Sequence, residues 1–399
     1  MPIRRRTSLC REGWYLVLLA AVVLTWALLR ENNLLLLVAG LMCGALLVNW
    51  RLSAAALRGV KAERRVVSGG HAGTWLTIEV EVVNGRPRLG SWAVSVEDCL
   101  QRQGGRGDEP PVRPALMFPY VRAGQGVRQS YRVRLPRRGR YTLGPLRVST
   151  RFPFGLVERT LWLASDAPLV VLPRLGRLRP VWGQHYQATP HGLRGARRPG
   201  YVPGDFFAVR EWQAGDSVRW VHWRSTARHR ELVVRQFEQP GERELAVLLD
   251  LWEADEAPPE QRRRVELAVS FAATLVADFC GRSRGHLVLA VASAQPVCLA
   301  SPATVAMSRD ALEALALATA SPAVPAAELR QTILSRVPPH SDVVLISTRE
   351  NAESELAAVL AAAASSASGT PRRVVWVDAA DAALAEYFQV EPRVAEAGP

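Results

Sequence analysis

The stretch Arg210-Glu-Trp-Gln-Ala-Gly-Asp-Ser-Val-Arg-Trp-Val-His-Trp-Arg-Ser-Thr-Ala-Arg-His-Arg-Glu-Leu-Val-Val-Arg-Gln-Phe-Glu238 decides how this chain is read. It holds three tryptophans and six arginines around a Gly215-Asp216 step, with no metal or phosphate motif. It then runs into a short apolar strand, Leu245-Ala-Val-Leu-Leu-Asp250, that ends on a carboxylate. Tryptophan and arginine at this density, outside a catalytic pattern, mark a structural signature or an interaction site. Gly215-Asp216 reads as a turn, with Asp216 as N-cap of a helix from Ser217 onward. On that helix Arg219 and Trp223 are four residues apart, the spacing of a cation–π pair, and Asp216 can reach Arg219 across one turn. A strand competes, because Arg219 to Arg224 partly alternates. Core packing is the expected role of the tryptophans; a ligand cage or a stacking platform is the alternative. His222 beside Asp216 is read as a packed, hydrogen-bonded residue rather than an acid–base partner. Arg210, Asp216, Arg219 and Arg228 are expected to form a charged network at a domain junction, and their exposed members to meet an acidic partner surface.

Upstream, two apolar runs, Trp14 to Leu29 and Leu34 to Trp50, are separated only by Arg30-Glu-Asn-Asn33. Each is close to the ~20 residues that cross a bilayer. Neither has a polar face, so a soluble hairpin would need burial on all sides. Trp14 and Trp50 fit the headgroup level. Arg4, Arg5, Arg6 and Arg11 precede the first run, and Arg51, Arg58, Lys61, Arg64 and Arg65 follow the second, against one arginine in the turn. The positive-inside rule then puts both termini and the soluble body in the cytoplasm, anchored in the inner membrane. The basic cluster after the second run can rest on anionic lipid.

At 399 residues the chain needs more than one core. The expected organisation is a cytoplasmic segment over 1–12, a transmembrane hairpin over 13–50 and a β-rich, sandwich-like domain over 60–173. The signature segment over 190–240 and an α/β domain over 241–390 follow. Trp75 to Val83 alternates apolar and polar residues and stops at Asn84-Gly85; Ala93 to Val96, Val127 to Leu135, Tyr141 to Val148 and Leu169 to Leu172 also read as strands. Beyond Glu242, apolar strands (Leu245–Leu251, Leu287–Ala292, Val343–Ser347, Val374–Val377) alternate with helices. The helices lie over Pro259–Gly281 and around Arg309–Thr319, Ala326–Ser335 and Ala352–Ala364, a pattern for a mostly parallel, doubly wound sheet.

The net charge is +13, and Lys61 is the one lysine among 50 basic residues. The arginines are dispersed rather than massed on one element, which disfavours nucleic acid as the partner. The five cysteines have no paired spacing, so neither zinc nor a disulfide framework is expected. Walker A, His-Glu-x-x-His, Gly-x-Ser-x-Gly and Cys-x-x-Cys patterns are missing, so no enzymatic activity and no cofactor is expected.

The run Arg210-x-Trp-x-x-Gly-Asp-x-x-Arg-x-Val-x-Trp-x-x-x-Ala-Arg, followed by Leu-x-Val-Arg-x-Phe-Glu, resembles the signature of the bacterial family called domain of unknown function 58. Arg137-Arg-Gly-Arg-Tyr-Thr-Leu-Gly-Pro145, Arg151-Phe-Pro-Phe-Gly-Leu156 and Val170-Val-Leu-Pro173 resemble that family's preceding β region. The resemblance implies a C-terminal von Willebrand factor A-like (Rossmann-type) α/β domain and association with MoxR-type AAA+ ATPases. It also implies association with membrane proteins bearing transglutaminase-like domains, and a part in assembling or maturing protein complexes. No defined reaction comes with it. A von Willebrand A-like domain often holds Mg2+ through Asp-x-Ser-x-Ser after its first strand; here Asp250 is kept, while Trp252 and Ala254 stand where the hydroxyls should be, so no metal is expected. The expected function is that of a membrane-anchored, non-enzymatic adaptor. An electrostatic module for nucleic acid or anionic lipid is the alternative.

Overall fold

The computed structural model describes residues 4–67, 69–104, 110–182, 198–200, 206–214, 216–239, 244–282, 285–322, 341–349, 374–379 and 383–390. The chain divides into two compact units, Met1–Leu172 and Pro173–Pro399.

The first unit opens with strand β1 (Arg4–Leu9) and helices α1 (Arg11–Leu29) and α2 (Asn33–Ala56). Both helices are long and apolar enough to cross a membrane, and most of their surface is exposed. Trp14, Leu18, Trp26, Leu37, Leu41 and Trp50 all project outward. Such a pair is compatible with a two-span anchor whose solvent is lipid. Ala20 and Ala27 on α1 and Ala39 on α2 are buried, small residues that let two helices approach closely. Asn32 caps α2 by accepting from the Leu34 amide at 3.0 Å. Past Trp50 the helix runs on to Ala56, where Arg86 takes over its end: Nη1 donates to the Ala55 carbonyl at 2.6 Å and Nη2 to the Ala56 carbonyl at 3.3 Å.

Ten further strands follow: β2 (Val60–Val66), β3 (Trp75–Asn84), β4 (Ser91–Glu97), β5 (Leu100–Arg102), β6 (Ala115–Val121), β7 (Gly126–Arg134), β8 (Gly139–Leu143), β9 (Leu146–Thr150), β10 (Val157–Leu163) and β11 (Ala167–Val171). They make three sheets, ordered β1-β10-β9-β4-β6, β2-β3-β7 and β11-β8-β5. Alternation does its expected work: Leu76, Ile78, Val80 and Val82 of β3 join Val94, Val96, Phe118, Val148 and Leu161 in one core. The single strand expected over Tyr141 to Val148 is instead two. Gly144-Pro145 breaks it, since proline cannot donate to a ladder, and the chain passes from one sheet to another. β1 was not legible as a strand, because Arg-Arg-Arg-Thr-Ser-Leu shows no apolar alternation. Its pairing with β10, from Arg4↔Trp162 to Leu9↔Val157, makes it one.

A buried ionic cluster ties this core together. Arg64 is paired with Asp98 and also donates to the Leu143 carbonyl at 2.6 Å and to that of Ser165. Tyr131 donates its hydroxyl to Asp98 Oδ2 at 2.6 Å. Burial, together with that carboxylate, pushes the Tyr131 phenol far above its ordinary range. Asp98→Ala, which orphans the Arg64 guanidinium, is expected to destabilise the unit by roughly 3–5 kcal/mol, read as a lowered melting temperature of the full chain in detergent.

The second unit contains β12 (Gly176–Leu178), β13 (Arg198–Gly200), β14 (Phe206–Glu211), a 3-10 turn (Val218–Trp220), α3 (Trp223–His229) and β15 (Val233–Gln239). Then come β16 (Glu244–Asp250), α4 (Pro259–Arg282), β17 (His286–Ala292), β18 (Val297–Pro302), α5 (Val305–Leu317), β19 (Asp342–Ser347), β20 (Val374–Asp378), α6 (Ala383–Tyr387) and β21 (Phe388–Val390). The five-stranded sheet is ordered β18-β17-β16-β19-β20, with β17, β16, β19 and β20 mutually parallel and β18 an antiparallel edge. Leu245 to Leu249 are buried throughout, as fits a strand covered on both faces. α4 packs on this sheet and on α5. Its buried Ser270 donates to the Arg174 carbonyl at 2.6 Å, and Thr274 Oγ1 accepts from the Gly176 amide at 3.0 Å. These bonds strap the β12–β21 ribbon onto the helix, with Trp182 set edge-on against Phe271 at 5.3 Å. The helices expected at Ala326–Ser335 and Ala352–Ala364 lie outside the described residues.

Candidate functional site

The signature segment folds as a small sheet, ordered β13-β15-β14, with the 3-10 turn and α3 inserted between β14 and β15. Its organising contact joins Arg210, near the end of β14, to Asp216. Arg210 Nη1 donates to Asp216 Oδ2 at 2.7 Å and Nη2 to Oδ1 at 2.6 Å, a two-pronged pair that fixes orientation as well as distance. The Gln213 amide donates to the same carboxylate at 2.8 Å, closing the turn. The Arg210 hydrogen bonds, then that amide, hold the Asp216 carboxyl below the usual carboxylate range.

Several expectations are corrected by this arrangement. Asp216 does not cap a helix: Ser217 caps the 3-10 turn and His222 caps α3. The Asp216 carboxylate goes to Arg210 and not to Arg219, because the chain bends at 213–216 and returns it to β14. Arg219 and Trp223 lie on different elements, the 3-10 turn and α3, and make no cation–π pair among the described contacts. Arg228 is exposed, with no ion pair among the described residues, so of the four charged residues only Arg210 and Asp216 are joined. Gly215 lies outside the described residues. His222 Nδ1 accepts from the Ser225 amide at 3.2 Å and contacts Ser225 Oγ at 2.7 Å, which makes it a capping group remote in role from proton transfer.

The tryptophans give the largest difference. Trp223 is 64% exposed and Trp212 38%, alongside exposed Val218 and Leu232. Core packing is therefore not the role of these two, while Trp220 is half-buried. The backbone beneath them is pinned instead: the Trp212 amide donates to the Leu232 carbonyl at 2.8 Å, and the His222 amide to the Val233 carbonyl at 2.8 Å. Trp212, Trp223 and Arg228 are thus exposed on a hydrogen-bonded frame.

At the end of β16, Asp250 is 1% exposed. Its Oδ2 accepts from Ser347 Oγ at 3.1 Å and from Arg349 Nε at 2.9 Å; Oδ1 has no partner among the described residues. Thr348 Oγ1 accepts from the Trp252 amide at 2.8 Å, closing the neighbouring strand ends together. The site lies where the chain has gone one way to β17 and the other to β19, the crevice where open parallel sheets place ligands. The residues do not fit a divalent cation. Trp252 and Ala254 bring no oxygen side chain, Glu253 is turned to Arg262 at 3.7 Å, and a guanidinium already sits on Asp250. Burial raises the Asp250 carboxyl above its ordinary range in spite of Arg349.

Residues 208–348 match the model of a family described as protein of unknown function DUF58. The match runs from β14 through the signature segment to the end of β19. The chain is 25% identical over 249 residues to the uncharacterized protein YeaD of Bacillus subtilis (strain 168), covering 61% of each chain. The chain thus spans less than two thirds of that relative's length. Among solved structures it is similar over 28% of its length to a superoxide reductase (neelaredoxin) from Ignicoccus hospitalis, at 14% identity, 77% coverage of that chain and a TM-score of 0.19. Spo0M, a sporulation control protein from Bacillus subtilis, gives 14% identity over 28% of this chain and 49% of its own, at 0.16. Scores this low carry no argument about fold or function.

Asp216→Asn is expected to speed amide exchange at Gln213 by about tenfold, the scale of one lost charge-assisted bond. Because the folded carboxyl lies low, protection of that turn should persist from neutral pH down through the ordinary carboxylate range and fall only below it, where Asp216 protonates. Asp250 has the opposite sign. Its raised value favours the fold only below the ordinary carboxylate range, and that contribution is gone once pH rises through the folded value. Asp250→Asn should therefore leave the melting temperature at pH 7 equal or higher, while Arg349→Ala should lower it by leaving a buried carboxylate without its counter-charge.

Proposed function

We propose that this protein belongs as a whole to the DUF58 family and is a membrane-anchored, non-enzymatic adaptor that works with a MoxR-type AAA+ ATPase on the assembly of protein complexes, beside a membrane protein bearing a transglutaminase-like domain. The observation that carries the reading is that Trp212 and Trp223 are exposed in one segment with exposed Arg219, Arg224 and Arg228, its turn locked by Arg210 and Asp216. Large exposed aromatics cost solvation unless a partner covers them, and arginine supplies a fork for that partner's carboxylates. The parallel strands β17, β16, β19 and β20, with Asp250 ending the first in sequence, support reading the C-terminal part as von Willebrand factor A-like. The arginines flanking the hairpin, against one in its turn, support an inner-membrane anchor with both ends in the cytoplasm. The β1–β10 pairing is in keeping with this, since it joins the segment before the hairpin to the domain after it.

Full-length protein in detergent should capture its cognate AAA+ ATPase in at least one of the ATP and ADP states. Trp212→Ala with Trp223→Ala should weaken capture by about 30-fold, the scale of a hot-spot pair, at an unchanged melting temperature. Absence of capture in both nucleotide states would sink the ATPase reading. Undiminished capture by the double variant would sink the assigned surface.

A further inference from the structure

The β domain of the first unit ends, on the side where the hairpin joins it, in four loops: residues 57–59, 85–90, 122–125 and 151–156. Their sequences carry Arg58, Arg86, Arg88, Arg122 and Arg151 and no aspartate or glutamate. Arg86 is occupied by the end of α2 and Arg151 by Glu158 at 3.4 Å. Arg58, Arg88 and Arg122 are exposed, with no ion pair among the described residues. The same end carries apolar side chains out of the core. Leu89 is 62% exposed and Phe154 58%. Trp92, also exposed, stacks on Phe152 at 5.9 Å and leans on Tyr120 at 4.3 Å. The sandwich does not explain this ledge, because at this end its core is closed by Val82, Val94 and Val121.

The loop that carries Phe154 is pinned to the hairpin. Its amide donates to Asn49 Oδ1 at 2.8 Å, and the Leu156 carbonyl accepts from the Cys10 amide at 2.9 Å. Gly13 lies so close to Leu156 that a Cβ there would overlap its carbonyl. Phe154 also continues the apolar surface of Leu41, Gly44, Ala45 and Val48 on α2. Counting about 20 residues from Leu34, the span of a bilayer core, ends near Ser53. Asn49, and Phe154 bonded to it, are then at the edge of that core. Aromatic side chains at this level and arginines just outside it match the two layers of a lipid interface.

We propose that this end of the β domain is a second membrane-contact surface: the Leu89, Trp92, Tyr120 and Phe154 ledge sits in the interfacial layer of the bilayer, with Arg58, Arg88 and Arg122 on anionic phospholipid headgroups. The proposal rests on the reading of α1 and α2 as a bilayer-spanning pair. Glu12, at the start of α1, is the one carboxylate in the helix turns nearest these loops, and it is outnumbered by Arg11 and Arg51 beside it. The consequence is a domain held at a fixed tilt on the membrane rather than swinging on its tether.

The test uses full-length protein, with its five cysteines replaced, reconstituted into phosphatidylcholine vesicles with and without about 30% phosphatidylglycerol. Nitroxide labels go on Val22→Cys in the middle of α1, on Leu89→Cys and Phe154→Cys in the ledge, and on Val67→Cys at the other end of the domain. Oxygen and a water-soluble nickel chelate report depth. The expected result is a deep Val22 label, interfacial Leu89 and Phe154 labels and an aqueous Val67 label. Phosphatidylglycerol should deepen the Leu89 label, and the combined Arg58→Gln, Arg88→Gln and Arg122→Gln variant should lose that response. A deep Val22 label with aqueous Leu89 and Phe154 labels overturns this surface and leaves the anchor standing. An aqueous Val22 label overturns the anchor and the surface together. Depth that ignores phosphatidylglycerol overturns the headgroup part and keeps the aromatic part.

Discussion

The guanidinium of Arg86 is where the second apolar helix ends and the β domain begins. The last carbonyls of a helix lack their usual partners within it, and those of Ala55 and Ala56 both accept from this one side chain, with Ser91 Oγ adding a bond to Ala56 at 2.8 Å. The same fork reaches the Gly90 carbonyl at 2.6 Å and Ser91 Oγ at 2.8 Å, while Nε donates to Asn84 Oδ1 at 3.2 Å. Asn84 in turn donates to the Leu89 carbonyl at 2.8 Å. A planar group with fixed donor directions thus sets the β3–β4 turn against the helix, which a lysine could not do. The placing of the β3–β4 end of the domain relative to the hairpin follows from that joint, and the Phe154–Asn49 bond adds the 151–156 loop to it.

The second unit depends on two carboxylates held in opposite ways. Asp216 is ionised easily because a guanidinium and an amide converge on it at the edge of the signature sheet. Asp250 is ionised with difficulty because the strand end that carries it is closed from water, and one oxygen is left without a partner. The first arrangement stiffens a turn that displays tryptophans. The second joins the ends of β16 and β19 through Ser347 and Arg349.

Much of the fold is legible in the sequence because its elements carry their own period. The two apolar runs, the alternation of Trp75 to Val83 and the buried-type strand at Leu245 are local signals, and each appears where its pattern puts it. The misses share a physical cause. β1 is a run of arginines that becomes a strand only by pairing with β10, and β18 is an edge strand whose half-exposed residues alternate weakly. Gly144-Pro145 reads as a punctuation mark within a strand, yet only the layered core decides that the chain changes sheets there.

At the candidate site the residue types were legible and their partners were not. Sequence alone determined that Arg210, Asp216 and the tryptophans stand close in the chain, that two spans of apolar residues need a non-aqueous surrounding, and that Asp250 lacks the oxygens of a cation site. Spacing in a helix brought Asp216 to Arg219 on paper. The bend at 213–216, which returns the carboxylate to β14, is set by pairing between β14 and β15 over a gap that no local pattern encodes. Exposure was also beyond reach of the sequence, since a tryptophan's burial depends on which distant strand is laid over it. Tertiary structure alone decided that Trp212 and Trp223 face outward, that Arg349 fills the place beside Asp250, and that Phe154 is carried to the level of Asn49.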